Sequence, residues 1–243
     1  MGVTRLDIEY DGSRFSGWAA QPGHRTVQGE LEAALATILR AEVSLTVAGR
    51  TDAGVHAWGQ VASFESDAEI PGDLLRRLNG VLPDDVAVTA VEAAADGFDA
   101  RRDARSRTYC YRVLTRPSPS PFERGRALWW PYPLDSAALD RCAAELPGTH
   151  DFTAFTPTDT DHVRFEREVT RAEWLREDDI LAFWVEADAF MRNMVRVLVR
   201  TMLEVGGGRR EIGSFASLLD GASRADAGET APPHGLYLAS VRY

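Results

Sequence analysis

Apolar and charged residues alternate near the start of the chain, where Leu6, Ile8 and Tyr10 are separated by single charged side chains. Strict alternation is typical of a strand with one buried face. The pattern therefore predicts a strand over Arg5–Tyr10, which the turn residues Asp11-Gly12 end.

The spacing of apolar residues changes to three and four after Thr26, which predicts a helix capped by Thr26 and running to about Arg40. A shorter helix is predicted to begin near Pro71 and to end before Pro83. Further strands are predicted at Leu45–Ala48, Gln60–Glu65 and Val86–Glu92. The order of elements in this half is therefore βαββαβ.

The rest of the chain repeats this order. Its predicted strands and helices are Arg107–Leu114, Asp135–Leu146, Thr170–Arg176, Ile180–Glu186, Phe190–Val205 and Leu236–Tyr243. Two βαββαβ units are typical of an α+β protein with two ferredoxin-like halves, largely antiparallel sheets, and helices packed on one sheet face. We place the halves at 1–105 and 106–243, and expect them to form a close pair because no low-complexity linker separates them.

Composition favours a soluble, cytoplasmic protein that does not enter a membrane. The 243 residues include no uncharged apolar run near the length of about 20 needed to cross a bilayer. Charged residues also recur within the first 25 residues, where a signal peptide would need an apolar region. Cys110 and Cys142 are too few for a disulfide framework or a zinc site, so both are predicted to be buried thiols.

The net charge of −10 disfavours a protein that coats nucleic acid by bulk attraction. Positive charge is nevertheless concentrated in two stripes. Residues 98–126 hold eight arginines against three acidic residues, and residues 190–210 hold five arginines against Glu204. An acidic chain with two basic stripes suits the binding of one polyanion in one place.

The densest group of chemically active side chains lies between two predicted strands, within Gly49–Ala57. It contains a guanidinium, a hydroxyl, a carboxylate and an imidazole, contributed by Arg50, Thr51, Asp52 and His56. From the local pattern alone, a turn in which Asp52 bonds nearby backbone N–H groups is the favoured interpretation. A metal site is disfavoured, because Asp52 and His56 have no third candidate ligand nearby.

As a block, Gly49–Ala57 resembles the active-site motif of the TruA family of tRNA pseudouridine synthases. Further segments resemble family motifs in family order: Tyr10–Trp18, Thr26–Glu32, Leu78–Pro83, Phe98–Arg101, Arg107–Tyr111, Gly148–Phe152, Phe190–Arg196 and Gly235–Leu238. The resemblance covers essentially the whole chain, and Ala19 and Ala20 depart from it where many members have Gln. It implies the pseudouridine synthase fold and isomerisation of uridine to pseudouridine at positions 38, 39 and 40 of the tRNA anticodon stem-loop. It also implies a homodimer that binds tRNA and needs no cofactor or metal.

The resemblance further implies a role for each site residue. Asp52 is the catalytic carboxylate, which either adds to C1′ or removes the C2′ proton; both routes remain open. Arg196 is the guanidinium that keeps this carboxylate ionised. Tyr109 stacks on the uracil and Leu236 packs on the target base. Arg50 enters the stem and fills the space that the flipped uridine leaves.

Several alternatives remain open at the level of residues. Tyr109 and Tyr111 share strand parity, so only motif position favours Tyr109. The arginines at 192, 196 and 200 are spaced four apart on one predicted helix and could form a solvated or phosphate-binding face. His56, His150 and His162 are predicted to be structural or solvated.

Three other functions compete with the one that the resemblance implies. The same chemistry could act on another RNA position, or the chain could be a tRNA-binding module without catalysis. Arg50, Asp52 and Tyr109 argue against the second, because a binder has no need of an ionised carboxylate facing phosphate. A metal-dependent nuclease would require clustered carboxylates and a divalent ion.

Overall fold

The computed structural model describes residues 2–160 and 163–243. The chain folds as two compact units, Met1–Arg105 with Tyr237–Tyr243, and Ser106–Leu236. The boundary after residue 105 coincides with the predicted one. The closing strand, predicted in the second half, is instead part of the first unit from Tyr237 onward, because Tyr237 and Leu238 pair in parallel with His56 and Ala57.

The first unit contains two helices and a mostly antiparallel sheet. Its elements are β1 (Gly2–Tyr10), α1 (Val27–Leu39), β2 (Thr46–Val47), β3 (His56–Ser66), α2 (Leu74–Val81) and β4 (Val86–Ala94). Strand β1 lies between β4 and β3, and β2 pairs with β3. This arrangement of strands is the one expected of a βαββαβ unit.

Local sequence explains how these elements begin and end. Leu6, Ile8 and Tyr10 are buried on one side of β1, as the alternation predicts. The hydroxyl of Thr26 accepts a hydrogen bond from the backbone N–H of Gly29 and so caps α1. The helix ends at Arg40, whose φ of 54° lies in the left-handed region.

The second unit has the strand order β5-β9-β8-β7, with antiparallel neighbours. Its elements are β5 (Ser106–Leu114), β6 (Leu128–Trp129), α3 (Ser136–Ala144), β7 (Gly148–Asp151), β8 (Glu166–Glu177), β9 (Ile180–Ala187), α4 (Met194–Gly206) and α5 (Gly213–Ser217). The last strand, β10 (Leu236–Arg242), follows this unit. The α+β class with largely antiparallel sheets is confirmed.

Several predicted boundaries differ from the structure for local reasons. Helix α4 begins at Met194 rather than at Phe190, because Asn193 has a φ of 63° and cannot continue a right-handed helix. Strand β3 begins at His56 rather than at Gln60, because its pairing with β1 reaches Ala57. The short elements β6, β7 and α5 were not predicted.

Burial of both cysteines, Cys110 and Cys142, is confirmed. Burial raises the pKa of the Cys110 thiol to about 12 and that of Cys142 to about 11. Among the helices in residues 2–160 and 163–243, none has the length and apolarity needed to span a bilayer.

Candidate active site

The predicted catalytic carboxylate lies in the segment that joins β2 to β3, which we call the Asp52 loop (residues 48–55). Backbone hydrogen bonds fix both ends of this loop. The N–H of Ala48 donates to the carbonyl oxygen of Val61 at 2.9 Å, and the N–H of Val55 donates to that of Asp52 at 3.1 Å. The loop therefore has a defined conformation at the start of β3.

Buried polar side chains support the Asp52 loop from the interior of the first unit. The side-chain amide of Gln60 donates to the carbonyl oxygen of Gly49 at 2.7 Å and to the phenolic oxygen of Tyr10 at 3.3 Å. That phenolic oxygen lies 2.7 Å from the hydroxyl oxygen of Thr51. Gln60, Tyr10 and Thr51 are 0%, 5% and 7% exposed, so these bonds are shielded from water.

The turn that follows β1 packs directly against the Asp52 loop. The N–H of Trp18 donates to the carbonyl oxygen of Thr51 at 3.0 Å. Gly17 has a φ of 100°, which only glycine adopts readily. A Cβ atom at Gly12 would lie 1.9 Å from the carbonyl oxygen of Val55. The close approach of the two segments therefore requires glycine at these positions.

His56 has a structural role, in agreement with the prediction. Its side chain is buried, and its Nδ1 accepts a hydrogen bond from the N–H of Gly12 at 3.1 Å. Its ring stacks on Tyr237 with 4.6 Å between centroids, and Tyr237 stacks in turn on Trp58 at 4.2 Å. The imidazole therefore ties the turn after β1 to the first residue of β3.

Arg50 and Asp52 are more accessible than the residue between them. Arg50 is exposed and Asp52 is half-buried, whereas Thr51 is buried. The hydrogen bonds thus hold the backbone of the loop in place, and the loop presents the charged side chains of Arg50 and Asp52. A carboxylate held in this way can act as a nucleophile or as a base, and a guanidinium can stack on a base or bind phosphate.

The two candidate tyrosines of β5 in the second unit have different surroundings. Tyr109 is 8% exposed, and its ring meets Phe190 edge-on with 4.9 Å between centroids. Tyr111 is fully buried, and its hydroxyl donates to the carbonyl oxygen of Pro232 at 2.8 Å. Burial also raises the pKa of Tyr111 well above its usual value. Tyr111 is thus a core residue, which strand parity alone could not show.

Arg196 lies in the first turns of α4 and holds the segment that precedes β10. Its Nε donates to the carbonyl oxygen of Ala231 at 2.7 Å, and its Nη1 donates to the side-chain oxygen of Asn193 at 2.7 Å. Leu236 begins β10 a few residues beyond Ala231 and is buried. The structure therefore brings Arg196 close to the chain segment that leads to Leu236.

Arginines of both basic stripes pair with acidic side chains, some near in sequence and some distant. Arg192 pairs with Asp159, and Arg200 contacts both Glu204 and Glu229. In the other stripe, Arg112 pairs with Glu123 and Arg102 with Asp103. Asp159 and Glu229 lie outside the stripe at 190–210, so they reduce its local excess of positive charge in the folded chain.

Residues 2–160 and 163–243 contain no group of three or more His, Cys, Asp or Glu side chains placed to hold a metal ion. His150 is half-buried, with its Nε2 3.4 Å from the carbonyl oxygen of Pro147 and its ring edge-on to Phe152. His162 lies outside the described residues.

Sequence reasoning identified Arg50 and Asp52 but missed the residues behind them. Tyr10, Gln60 and Trp18 support the Asp52 loop, yet each looks like an ordinary strand or turn residue in the sequence. Two signals could have found them: Tyr10 and Trp18 lie in a segment that resembles a family motif, and Gln60 is an uncharged polar residue at the start of a predicted strand that continues with Val61 and Ala62.

The sequence matches an RNA-modifying class of isomerases. The family described as tRNA pseudouridine synthase matches residues 8–101 and 142–243. The chain belongs to this family and is an isomerase.

The sequence of the chain aligns with those of named relatives over almost its full length. The chain is 41% identical over 241 residues to tRNA pseudouridine synthase A of Geobacillus sp., covering 98% of this chain and 97% of the relative. It is 46% identical over 243 residues to the Frankia casuarinae protein of the same name, covering 98% and 88%. The Bacillus subtilis protein of that name is 41% identical over 242 residues, with 98% of each chain covered.

Proposed function

We propose that the chain converts uridine to pseudouridine at positions 38, 39 and 40 of the tRNA anticodon stem-loop, as a cytoplasmic homodimer without cofactor or metal ion. The observation that carries the proposal is the Asp52 loop, which presents Asp52 and Arg50 from a backbone fixed by buried hydrogen bonds. The identity of 41–46% to relatives named tRNA pseudouridine synthase A supports the choice of tRNA as the substrate.

The reaction exchanges one glycosidic bond for another within the same nucleotide. The N1–C1′ bond breaks, the uracil turns in place, and a C5–C1′ bond forms. C5 loses its proton and N1 gains one, so the product is an isomer and no electrons are transferred. This balance explains why the proposal includes no cofactor.

Asp52 starts the reaction in this proposal, either by adding to C1′ or by removing the C2′ proton. Both routes require an ionised carboxylate, and Arg196 is assigned to favour that form. Tyr109 stacks on the uracil, and Leu236 packs against it. The uridine must leave the stem to react, which costs a few kcal/mol for unpairing and unstacking. Arg50 takes the vacated space, because a planar guanidinium can stack between bases.

Mapping pseudouridine on bulk tRNA from cells with and without the gene tests the substrate. We expect positions 38, 39 and 40 to lose the modification together. Loss at another RNA position would assign the same chemistry to a different target, and an unchanged map would overturn the proposal. Activity that disappears in excess EDTA would instead favour a metal-dependent enzyme.

Asp52→Asn tests the chemistry, with Asp84→Asn as the matched control. Asp84 is an exposed carboxylate of the same unit. Release of tritium from C5-labelled uridine should fall below about one thousandth of the parent rate in Asp52→Asn, a barrier increase of about 4 kcal/mol. Its affinity for tRNA should be equal or tighter, because one negative charge is lost. Turnover above that level would show that Asp52 is not the catalytic carboxylate.

A further inference from the structure

Tyr10, Thr51 and Gln60 form a chain of buried hydrogen bonds behind the Asp52 loop, and no step of the proposed reaction uses them. Gln60 lies in β3 and is fully buried. Burying an amide is costly unless each of its polar atoms is bonded. The Gln60 amide donates hydrogen bonds to the backbone of the loop that carries Asp52 and to Tyr10, which contacts the same loop.

The orientation of the Gln60 amide follows from its hydrogen-bond partners. The N–H of Val61 donates to Oε1 of Gln60 at 3.2 Å, which places the amide nitrogen toward Gly49 and Tyr10. Both hydrogens of the amide are then used, one on the carbonyl oxygen of Gly49 and one on the phenolic oxygen of Tyr10. The phenolic oxygen of Tyr10 also lies 2.7 Å from the hydroxyl oxygen of Thr51, and either hydroxyl can donate in that hydrogen bond.

The hydroxyl of Tyr10 remains protonated, as the buried hydrogen bonds require. Its ring is buried, and burial raises the pKa of Tyr10 to about 12. The hydroxyl therefore stays protonated throughout the neutral range, and the hydrogen bond to Thr51 does not depend on pH there.

The series of buried hydrogen bonds ends on Gly49 and Thr51, the two residues that flank Arg50. The amide of Gln60 holds the carbonyl oxygen of Gly49 on one side, and the hydroxyl of Tyr10 holds the side chain of Thr51 on the other. Thr51 is also the residue before Asp52, and its own carbonyl oxygen accepts from Trp18. The backbone that carries Arg50 and Asp52 is thus held by hydrogen bonds on each side.

We propose that Tyr10, Thr51 and Gln60 are positioning residues of the reaction, which act through Asp52 and Arg50 and do not touch the substrate. The inference rests on the proposed function. Reacting groups must be held to within about 0.5 Å of their productive positions, and a displacement of about 1 Å can cost about 100-fold in rate. A loop lacks the regular pairing of a strand, and the buried hydrogen bonds supply that constraint.

The variants Thr51→Val and Tyr10→Phe each remove one hydroxyl while keeping the shape of the side chain. We expect each to lower the single-turnover rate by about 10- to 100-fold, with the Kd for tRNA within about twofold of the parent. Thr51→Ser keeps the hydroxyl and should restore most of the rate. The double variant should be no slower than the slower single variant, because both changes break the same hydrogen bond.

Tyr243→Phe is the control for a merely structural effect. Its hydroxyl donates to the carbonyl oxygen of Ala100 at 2.8 Å in the same unit, and the substitution keeps the ring, which packs against the buried cluster of Ala48, Val61 and Ala100. It should lose a similar amount of thermal stability and keep the parent rate. All rates are compared well below the unfolding midpoint of each variant, and Thr51→Ala provides a second variant without the hydroxyl if valine prevents folding.

The inference fails if Thr51→Val and Tyr10→Phe react within about twofold of the parent, or if their rate losses multiply in the double variant. It also fails if Tyr243→Phe loses as much rate as they do. The parent and Asp52→Asn are measured alongside. A parent that forms no pseudouridine overturns the proposed function and this inference together, whereas an active parent, an inactive Asp52→Asn and an active Thr51→Val overturn this inference alone.

Discussion

The hydroxyl of Tyr111 donates a hydrogen bond of 2.8 Å to the carbonyl oxygen of Pro232. Tyr111 and Tyr109 are two residues apart on β5, and their side chains lie on the same face of the strand. The bond to Pro232 and the complete burial of Tyr111 commit that side chain to the core of the second unit. Tyr109, which packs edge-on against Phe190, is the better candidate for contact with a base.

The two tyrosines should therefore respond differently to the loss of a hydroxyl. Tyr111→Phe should lower the free energy of unfolding by about 1 kcal/mol, the usual value of one buried hydrogen bond, and leave turnover near the parent value. Tyr109→Phe should bind tRNA normally and turn over more slowly. Denaturant unfolding and single-turnover rates for both variants check this. Slower turnover in Tyr111→Phe than in Tyr109→Phe would exchange the roles of the two tyrosines.

Arg50 should act through its planar shape as well as its charge. Arg50→Lys keeps the charge, so the salt dependence of tRNA binding should stay the same, whereas turnover should fall sharply because an ammonium group cannot replace a stacked base. Arg50→Ala should lose turnover to a similar extent. Binding at several salt concentrations and single-turnover rates separate the two effects. If Arg50→Lys reacts at the parent rate, Arg50 is only a phosphate anchor.

Arg192 and Arg200 should differ in their contribution to phosphate binding. Arg192 pairs with Asp159, whose side chain is 80% exposed, and such surface pairs are worth little. Arg192 can therefore exchange Asp159 for phosphate at low cost. The guanidinium of Arg200 is held by Glu204 and Glu229 and packs over the ring of Trp130.

We expect Arg192→Ala to reduce the slope of log affinity against log salt by about one unit, equally for all tRNAs, and Arg200→Ala to change it much less. Asp159→Asn should tighten binding, because the competing carboxylate is removed. Equal slopes for the parent and Arg192→Ala would show that Arg192 contacts no phosphate.

Stability at acidic pH should depend on the ion pair between Asp85 and Arg25. The guanidinium of Arg25 donates to both carboxylate oxygens of Asp85, at 2.7 and 2.8 Å, and these bonds hold the pKa of Asp85 below its usual value. A lowered pKa stabilises the folded state above the unfolded pKa of about 3.9, and this contribution is lost as the pH falls through the folded value.

Asp85→Asn should therefore lower the free energy of unfolding by about 2 kcal/mol at pH 7, the scale of a hydrogen bond to a charged group. The difference from the parent should shrink once the pH falls below about 4. Thermal unfolding at pH 7 and pH 3 measures it, with exposed Asp84→Asn as the control. A difference that stays constant or grows on acidification would contradict this account.

Most helices and strands could be predicted because their signals are local. The cap at Thr26 and the alternation in β1 depend on residues within one or two turns, and the structure contains both. The start of α4 could not be predicted, because apolar periodicity continues back to Phe190 while the backbone of Asn193 turns left-handed. Two-residue strands such as β6 carry no periodic signal at all.

By itself, the sequence determined the βαββαβ order and the position of Arg50 and Asp52 between two strands, because periodicity, caps and a short motif are properties of neighbouring residues. Only the tertiary structure decided which side chains stand behind that motif and which of the two tyrosines belongs to the core. Those outcomes depend on partners far along the chain: Gln60 reaches Gly49 and Tyr10, and Tyr111 reaches Pro232. Such contacts form only when strands and loops pack together, and no local pattern encodes them.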